Sequence, residues 1–198
     1  LLLLDSARYR GDIDALASNC SFRILHITQG WQSLLKGCLF DSNESLHDII
    51  FAKSNSQLHR NHVVTTDFTT HILDRLYKII RVDAVITVHF KYIEDYHWAL
   101  SSKKINVPHI MLYRECNLFS NLIYGYLLNK MKEQKKFDGS HVIVHNEISK
   151  KSFLDGKFAK KNQISVCGAL RMDGLLSTLK DNICGLKNYS RKKKFVLF

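Results

Sequence analysis

The stretch VDAVITVH, residues 82–89, carries the strongest indication of the fold. It is rich in β-branched residues and almost continuously apolar, which is typical of a strand buried on both faces of a parallel sheet. Similar short stretches follow at HIMLY (109–113), HVIVH (141–145) and ISVC (164–167). The segments between and after them predict helices over Ile93–Lys103, Leu118–Met131, Glu147–Leu154 and Asp173–Leu179. This alternation predicts an α/β fold with a doubly wound, Rossmann-like parallel sheet.

The first 80 residues carry a weaker pattern that is compatible with the same architecture. Phe22–Ile27 predicts a short strand. Residues 68–80 predict an amphipathic helix whose apolar stripe is Phe68, Ile72, Leu76 and Ile79. The opening Leu1–Leu4 is too short for a signal-peptide core and lacks a basic segment before it.

Composition limits the classes of function. The chain has 198 residues, 45% of them hydrophobic and 24% charged, which excludes a mostly disordered protein. Its net charge of +11 favours an anionic partner, such as an acidic membrane surface or a phosphorylated small molecule. No nucleic-acid-binding signature accompanies the charge, so we expect no nucleic acid partner. The five cysteines form no CxxC pair, which argues against a zinc ribbon.

Polar residues follow the predicted strands, where ligands of open α/β sheets bind. His89 and His145 each end a strand, and a neutral imidazole there can bind a hydroxyl or phosphate, shuttle a proton, or serve only as a hydrogen-bonded structural group. Arg114 and Glu115 follow the HIMLY strand. Their pairing suits general acid–base chemistry in a cleft, and equally a surface salt bridge or a cap for the next helix. Asn146 suits the N-cap of the helix after it.

The segment GALRMDG, residues 168–174, places an arginine and an aspartate just after a strand. Gly168 predicts a break, and Arg171 can hold a carboxylate or phosphate bidentately. Asp173 is a candidate nucleophile or base, and chemistry alone favours its use as an N-cap.

Two further patterns have ordinary explanations beside the functional ones. Asp12-Ile13-Asp14 has a spacing that can hold a divalent metal, but a helix N-terminus with acidic residues in its first turn is the favoured interpretation. Basic residues cluster over Lys130–Lys136 and Lys150–Lys161. The first cluster follows an apolar, tyrosine-bearing helix, which could lie on an anionic bilayer or simply face the core.

The stretch GSHVIVHNEISKKSFLDGKFAKKNQISVCGALRMDGLL, residues 139–176, resembles the end of the first domain in GT-B glycosyltransferases of bacterial surface-polysaccharide assembly. Residues 82–117, VDAVITVHFKYIEDYHWALSSKKINVPHIMLYRECN, are similar to the same group. The nearest likeness is to the retaining β-Kdo transferases, which use CMP-Kdo.

The resemblance implies a two-domain protein and a double-displacement reaction. Residues 1–190 would be the N-terminal acceptor-side domain, and 191–198 a linker and the start of a nucleotide-sugar-binding domain beyond Phe198. Asp173 would be the nucleophile and Glu115 the acid/base. The residues that the resemblance implies for substrate binding are Arg171, Arg114, His145, Asn146 and His89. No metal or other cofactor is expected besides the nucleotide-sugar donor, and the acceptor would be a glycan or lipid-linked glycan at the cytoplasmic face of the inner membrane.

Other functions share this architecture and charge. A nucleotide-sugar epimerase or a polymer glycerophosphotransferase would use a similar fold on a similar substrate. A non-catalytic module that binds anionic polymer or membrane would explain the charge without catalysis.

Overall fold

The computed structural model describes residues 2–4, 9, 11–18, 23–40, 43–90, 92–115 and 120–185. The strands are β1 Leu2–Leu4, β2 Leu25–Ile27, β3 Val85–Thr87, β4 His109–Leu112, β5 His141–Val144 and β6 Ile164–Val166. The helices are α1 Asp12–Ser18, α2 Gln29–Leu39, α3 Leu46–Ile50, α4 Gln57–Ile80, α5 Ile93–Lys104, α6 Asn121–Lys132, α7 Glu147–Asp155 and α8 Asp173–Gly185.

The strands form one parallel sheet in the order β2-β1-β3-β4-β5-β6. The predicted α/β, doubly wound Rossmann-like class is therefore confirmed. The chain reverses its direction of travel across the sheet between β1 and β3, which is the switch point where such folds place ligands. β1 was not predicted as a strand, yet Leu2 pairs with both Leu25 and Val85. Three leucines show no period, so only the neighbouring strands define them as part of the sheet.

Both faces of the sheet are covered, as the apolar run at residues 82–89 predicts. Val85 packs with Trp98 and Val107 on one face. Ile86, the next residue, packs with Tyr9 on the opposite face. Consecutive side chains of a strand point to opposite faces, so a strand buried on both sides must be apolar at almost every position.

The predicted apolar stripe on α4 is confirmed at Ile72 and Leu76, which pack against the core, and is wrong at its two ends. Phe68 is 49% exposed and Ile79 is 77% exposed, whereas Leu73 and Thr69 are fully buried. The Thr69 hydroxyl lies 2.7 Å from the Ser101 hydroxyl of α5, so the two helices meet through a polar seam. Threonine and serine hydroxyls can satisfy one another and nearby carbonyls in a helix interface, and hydropathy alone cannot show this. The helices α2 and α3, and the part of α4 before residue 68, were also not predicted.

The later elements lie close to their predicted bounds. α6 begins at Asn121, and the hydroxyl of Ser120 caps it by accepting a hydrogen bond from the amide of Ile123 at 3.2 Å. Positions 118 and 119 of the predicted helix lie outside the described residues. So do residues 191–198, so the division into an acceptor-side domain and a linker stays a prediction.

Candidate functional site

The residues singled out after the predicted strands share one edge of the sheet. His89 lies two residues after β3, and Arg114 lies two residues after β4. His145 directly follows β5, and Arg171 lies in a short 3-10 turn after β6. All strands are parallel, so their carboxyl ends meet at one edge, which we call the carboxyl edge. Gly168 has φ of +76°, a left-handed conformation that confirms the predicted break after β6.

A buried ion pair joins the start of α1 to the turn after β6. Asp12 is 1% exposed, and its Oδ1 accepts a hydrogen bond from the backbone N–H of Arg171 at 3.0 Å. Its Oδ2 accepts from Nη1 of Arg171 at 3.2 Å. The prediction that Asp12 begins a helix is confirmed, because α1 starts there. The sequence did not indicate that the same carboxylate would hold Arg171, which is 159 positions away.

His145 lies within electrostatic reach of this pair. Its pKa is lowered, first because burial disfavours the imidazolium ion, while Asp12 opposes the shift and Arg171 adds to it. A half-buried imidazole with a lowered pKa is neutral at neutral pH, so it can both donate and accept a hydrogen bond. The amide oxygen of its neighbour Asn146 accepts from the amide of Ser149 at 2.8 Å, which confirms the predicted cap of α7.

His89 and Arg114 lie further along the same edge. His89 is 7% exposed, and its ring centroid is 5.1 Å from that of Tyr113 and 4.5 Å from that of Phe90. The Nη1 atom of Arg114 is buried and has no hydrogen-bond partner among the residues that the structure describes. A buried guanidinium N–H without an acceptor is costly, and a carboxylate or phosphate oxygen would satisfy it with a charge-assisted bond.

The two carboxylates assigned to catalysis, Glu115 and Asp173, are both exposed. Glu115 forms no ion pair with the residues that the structure describes, and the next described helix is capped by Ser120 instead. Asp173 has helical dihedral angles, φ −61° and ψ −42°, so it lies within the first turn of α8 rather than at the non-helical N-cap position. Neither carboxylate forms an ion pair or caps a helix in the described part of the chain.

Sequence reasoning missed two members of this edge. Asp12 was noticed only as part of a D-x-D pattern. Tyr9 is fully buried and donates a hydrogen bond from its hydroxyl to the carbonyl of Ile86 at 2.9 Å, which holds the segment before α1 against β3. The one signal in the sequence was the Gly11-Asp12 pair. Gly11 has φ of +90°, a conformation that lets the chain turn into α1 at this point.

Neither protein-family models nor the curated proteins searched match this chain. The resemblance to GT-B glycosyltransferases therefore stays a prediction that rests on the quoted residues. Among residues that the structure describes, no helix is both long and apolar enough to cross a membrane. The same part of the chain contains no group of three or more histidine, cysteine or acidic side chains placed to hold a metal ion.

Proposed function

We propose that this chain is the acceptor-side domain of a GT-B-type glycosyltransferase that transfers a sugar to a surface glycan. One observation carries the proposal more than any other. The carboxyl edge of the doubly wound sheet brings together three features: the buried Nη1 of Arg114, the Asp12–Arg171 pair and the neutral His145. These side chains can donate hydrogen bonds to the carboxylate of an anionic sugar and form hydrogen bonds with its hydroxyls. They lie in the place where folds of this class bind ligands.

The proposed donor is CMP-Kdo, whose sugar carries a carboxylate. Arg114 would bind that carboxylate through Nη1, which has no hydrogen-bond partner in the described part of the chain. Arg171 would contribute a guanidinium group that is 33% exposed and already aligned by Asp12. His145, Asn146 and His89 would contact the sugar around it.

The proposed reaction proceeds in two displacements. The carboxylate of Asp173 attacks the anomeric carbon, the bond from that carbon to the phosphate oxygen breaks, and CMP leaves with the electron pair. Glu115 then accepts the proton of an acceptor hydroxyl, whose oxygen attacks the same carbon and releases Asp173. The two residues lie in the segments that follow β6 and β4, the two neighbours of β5 in the sheet, and both segments begin at its carboxyl edge.

The experiment uses the full-length protein with CMP-Kdo and a panel of other nucleotide sugars. Released nucleotide and intact protein mass are measured for wild type, Asp173→Asn and Glu115→Gln. Asp67→Asn is the matched control, because it makes the same kind of change at a carboxylate on α4 whose side chain is 64% exposed. We expect Asp173→Asn and Glu115→Gln to lower turnover at least about 100-fold, which is a loss typical of acid–base catalysis. Asp67→Asn should keep the turnover of the wild type.

The outcomes separate the alternatives. A sugar-sized adduct on Asp173 with CMP-Kdo supports the full proposal. Turnover with another donor and no adduct supports glycosyl transfer and rejects the Kdo assignment. An epimerised free sugar or a phosphodiester product would instead assign the chain to an epimerase or a glycerophosphotransferase. No turnover with any donor and acceptor would reject catalysis in favour of a binding module.

A second observation supports peripheral attachment to the inner membrane. α6 buries Leu127 and Met131, but on its other side Leu122 is 86% exposed and Tyr126 is 58% exposed. Lys130 extends over the Tyr126 ring at 5.9 Å. An exposed apolar and aromatic helix face with lysines suits the surface of an anionic bilayer, where lipid-linked acceptors are found. Co-sedimentation with phosphatidylglycerol vesicles at increasing salt tests this attachment, and binding that is independent of charge and of Leu122 would reject it.

A further inference from the structure

A concave site lies beside α5, mostly away from the carboxyl edge. A cavity of about 460 Å³ lies beside α5, and we call it the α5 cavity. Its lining includes Thr87, His109 and Met111 from β3 and β4. These side chains belong to the sheet face opposite to Tyr9 and α1. A volume of this size falls in the range of pockets that bind small molecules, roughly 300–1,000 Å³. His89 is the residue that this cavity shares with the candidate active site.

The rim of the α5 cavity is strongly cationic. Four lysines line the cavity: Lys103, Lys135, Lys136 and Lys160. Lys103 is bound to the carboxylate of Asp138, but the other three lysines have no ion pair with any described residue. Lys135 and Lys136 belong to the first basic cluster of the sequence, which follows a helix predicted either to lie on an anionic bilayer or to face the core, and Lys160 belongs to the second cluster. The fold instead brings lysines from two separate connections, before β5 and before β6, to one opening, which favours an anionic group there.

The walls of the α5 cavity are aromatic. Phe90 and Phe158 have ring centroids 4.9 Å apart, and Phe137 lies 6.1 Å from Phe158. Tyr96 of α5 also lines the cavity. Aromatic faces bind planar apolar groups by stacking and by burial of their surface.

His109 and Gln134 each bring to the lining a buried polar atom that has no hydrogen-bond partner among the described residues. His109 is 7% exposed, and its Nε2 lies 2.8 Å from the Thr87 hydroxyl, while no described residue forms a hydrogen bond with its buried Nδ1. Burial lowers the pKa of His109 to about 4, so the ring is neutral. The amide oxygen of Gln134 is likewise buried, and no described residue donates a hydrogen bond to it. Unsatisfied buried polar atoms in a pocket are the groups that fix the orientation of a ligand.

We propose that the α5 cavity is a binding site for a small phosphorylated ligand with a planar, hydrogen-bonding body, of the size of a mononucleotide. The planar body stacks among Phe90, Phe137 and Phe158, and its polar edge bonds to Gln134 and His109. The phosphate lies among Lys135, Lys136 and Lys160. The site shares His89 with the candidate active site, but binding there does not depend on the roles of Asp173 and Glu115.

The test is isothermal titration calorimetry on the full-length protein with four probes: AMP, phenyl phosphate, adenosine and inorganic phosphate. AMP is preferred to a cytidine nucleotide because the proposed donor domain would bind the latter. We expect AMP and phenyl phosphate to bind at least about ten-fold more tightly than inorganic phosphate or adenosine, because only they use both the aromatic walls and the lysines. Shifts of the Gly139 amide signal on titration would place the ligand, since Gly139 lines the cavity.

Two variants test the site by independent routes. Lys135→Gln with Lys136→Gln removes two charges at the rim, and Ala99→Phe fills the cavity from α5 without changing charge. Each is expected to weaken AMP binding about ten-fold, the loss of roughly one charge-assisted bond or of the stacking space. Lys53→Gln with Lys180→Gln is the charge-matched control on exposed residues outside the lining, and it should keep binding within about two-fold.

Three results would overturn the proposal. The first is binding of inorganic phosphate as tight as that of AMP, which means a surface anion effect. The second is an equal loss in the lysine control, which means attraction by net charge alone. The third is no heat of binding with any probe. If Ala99→Phe proves unfolded by circular dichroism, the rim lysine variant and the Gly139 signal decide the matter.

Discussion

The buried pair between Asp12 and Arg171 allows a quantitative prediction about stability. The two partners differ in their environment, because the Asp12 side chain is 1% exposed and that of Arg171 is 33% exposed. Arg171→Met leaves a carboxylate in the interior without its cation, and such losses cost about 3–5 kcal/mol. Asp12→Asn keeps an oxygen for the Arg171 amide and leaves a guanidinium that water can reach, so we expect about 1–2 kcal/mol. The arginine variant should therefore be the less stable one by about 2 kcal/mol.

Urea unfolding followed by circular dichroism measures these differences, with the slope of the transition checked for change. In the double variant the two losses should not add, and a coupling of about 2 kcal/mol is expected because the residues contact each other. Asp67→Asn breaks an exposed pair with Lys104 at 2.8 Å and should cost less than about 1 kcal/mol. Equal losses for Asp12→Asn and Arg171→Met, or additive losses in the double variant, would refute the reasoning from burial.

Three further predictions concern other parts of the molecule. Burial and the neighbouring His62 lower the pKa of His97 to about 3. On acidification below about pH 6.5 the unfolded chain therefore binds a proton at His97 that the folded protein does not, and the free energy of unfolding should fall by up to about 1.4 kcal/mol per pH unit. His97→Gln should reduce the difference between the urea midpoints measured at about pH 7 and about pH 5. Gly139→Ala should lower the free energy of unfolding by about 1–3 kcal/mol, because an added Cβ would lie 2.5 Å from Nδ1 of His109. Gly37→Ala adds its Cβ in open space within α2, so thermal unfolding should show it to be neutral or stabilising. Leu122→Ser should lower co-sedimentation with anionic vesicles at least about three-fold without changing the unfolding midpoint, since its side chain is 86% exposed.

The sequence predicted best where one periodic signal decides the structure. β3, β4, β5 and β6 lie where their mostly apolar stretches predicted, because a strand buried on both faces must be apolar at almost every position. Asn146 was recognised as a cap because the amide side chain and the helix start are adjacent in sequence. The same locality explains the errors. The stripe on α4 was wrong at Phe68 and Ile79, because part of the buried face of α4 packs on the hydroxyl-bearing face of α5, and no local pattern shows which helix will pack there.

The candidate site divides in the same way. That residues after the strands would share one edge follows from the parallel arrangement, and the sequence was sufficient for it. The partners of those residues were not predictable. Asp12 and Arg171 are 159 positions apart, and Lys135 and Lys160 meet at one cavity from different connections.

By itself, then, the sequence determined the class of the fold, the order of its later strands along the chain and the edge where polar groups gather. These properties depend on residues that are neighbours in the chain, where hydropathy, β-propensity and capping act over a few positions. The tertiary structure alone decided that Leu2–Leu4 lies inside the sheet, that Asp12 holds Arg171, and that the scattered lysines surround an aromatic cavity. Each of these is a contact between distant segments. Such contacts form only when the whole sheet brings their backbones together, and the residues that make them carry no mark of it in the sequence.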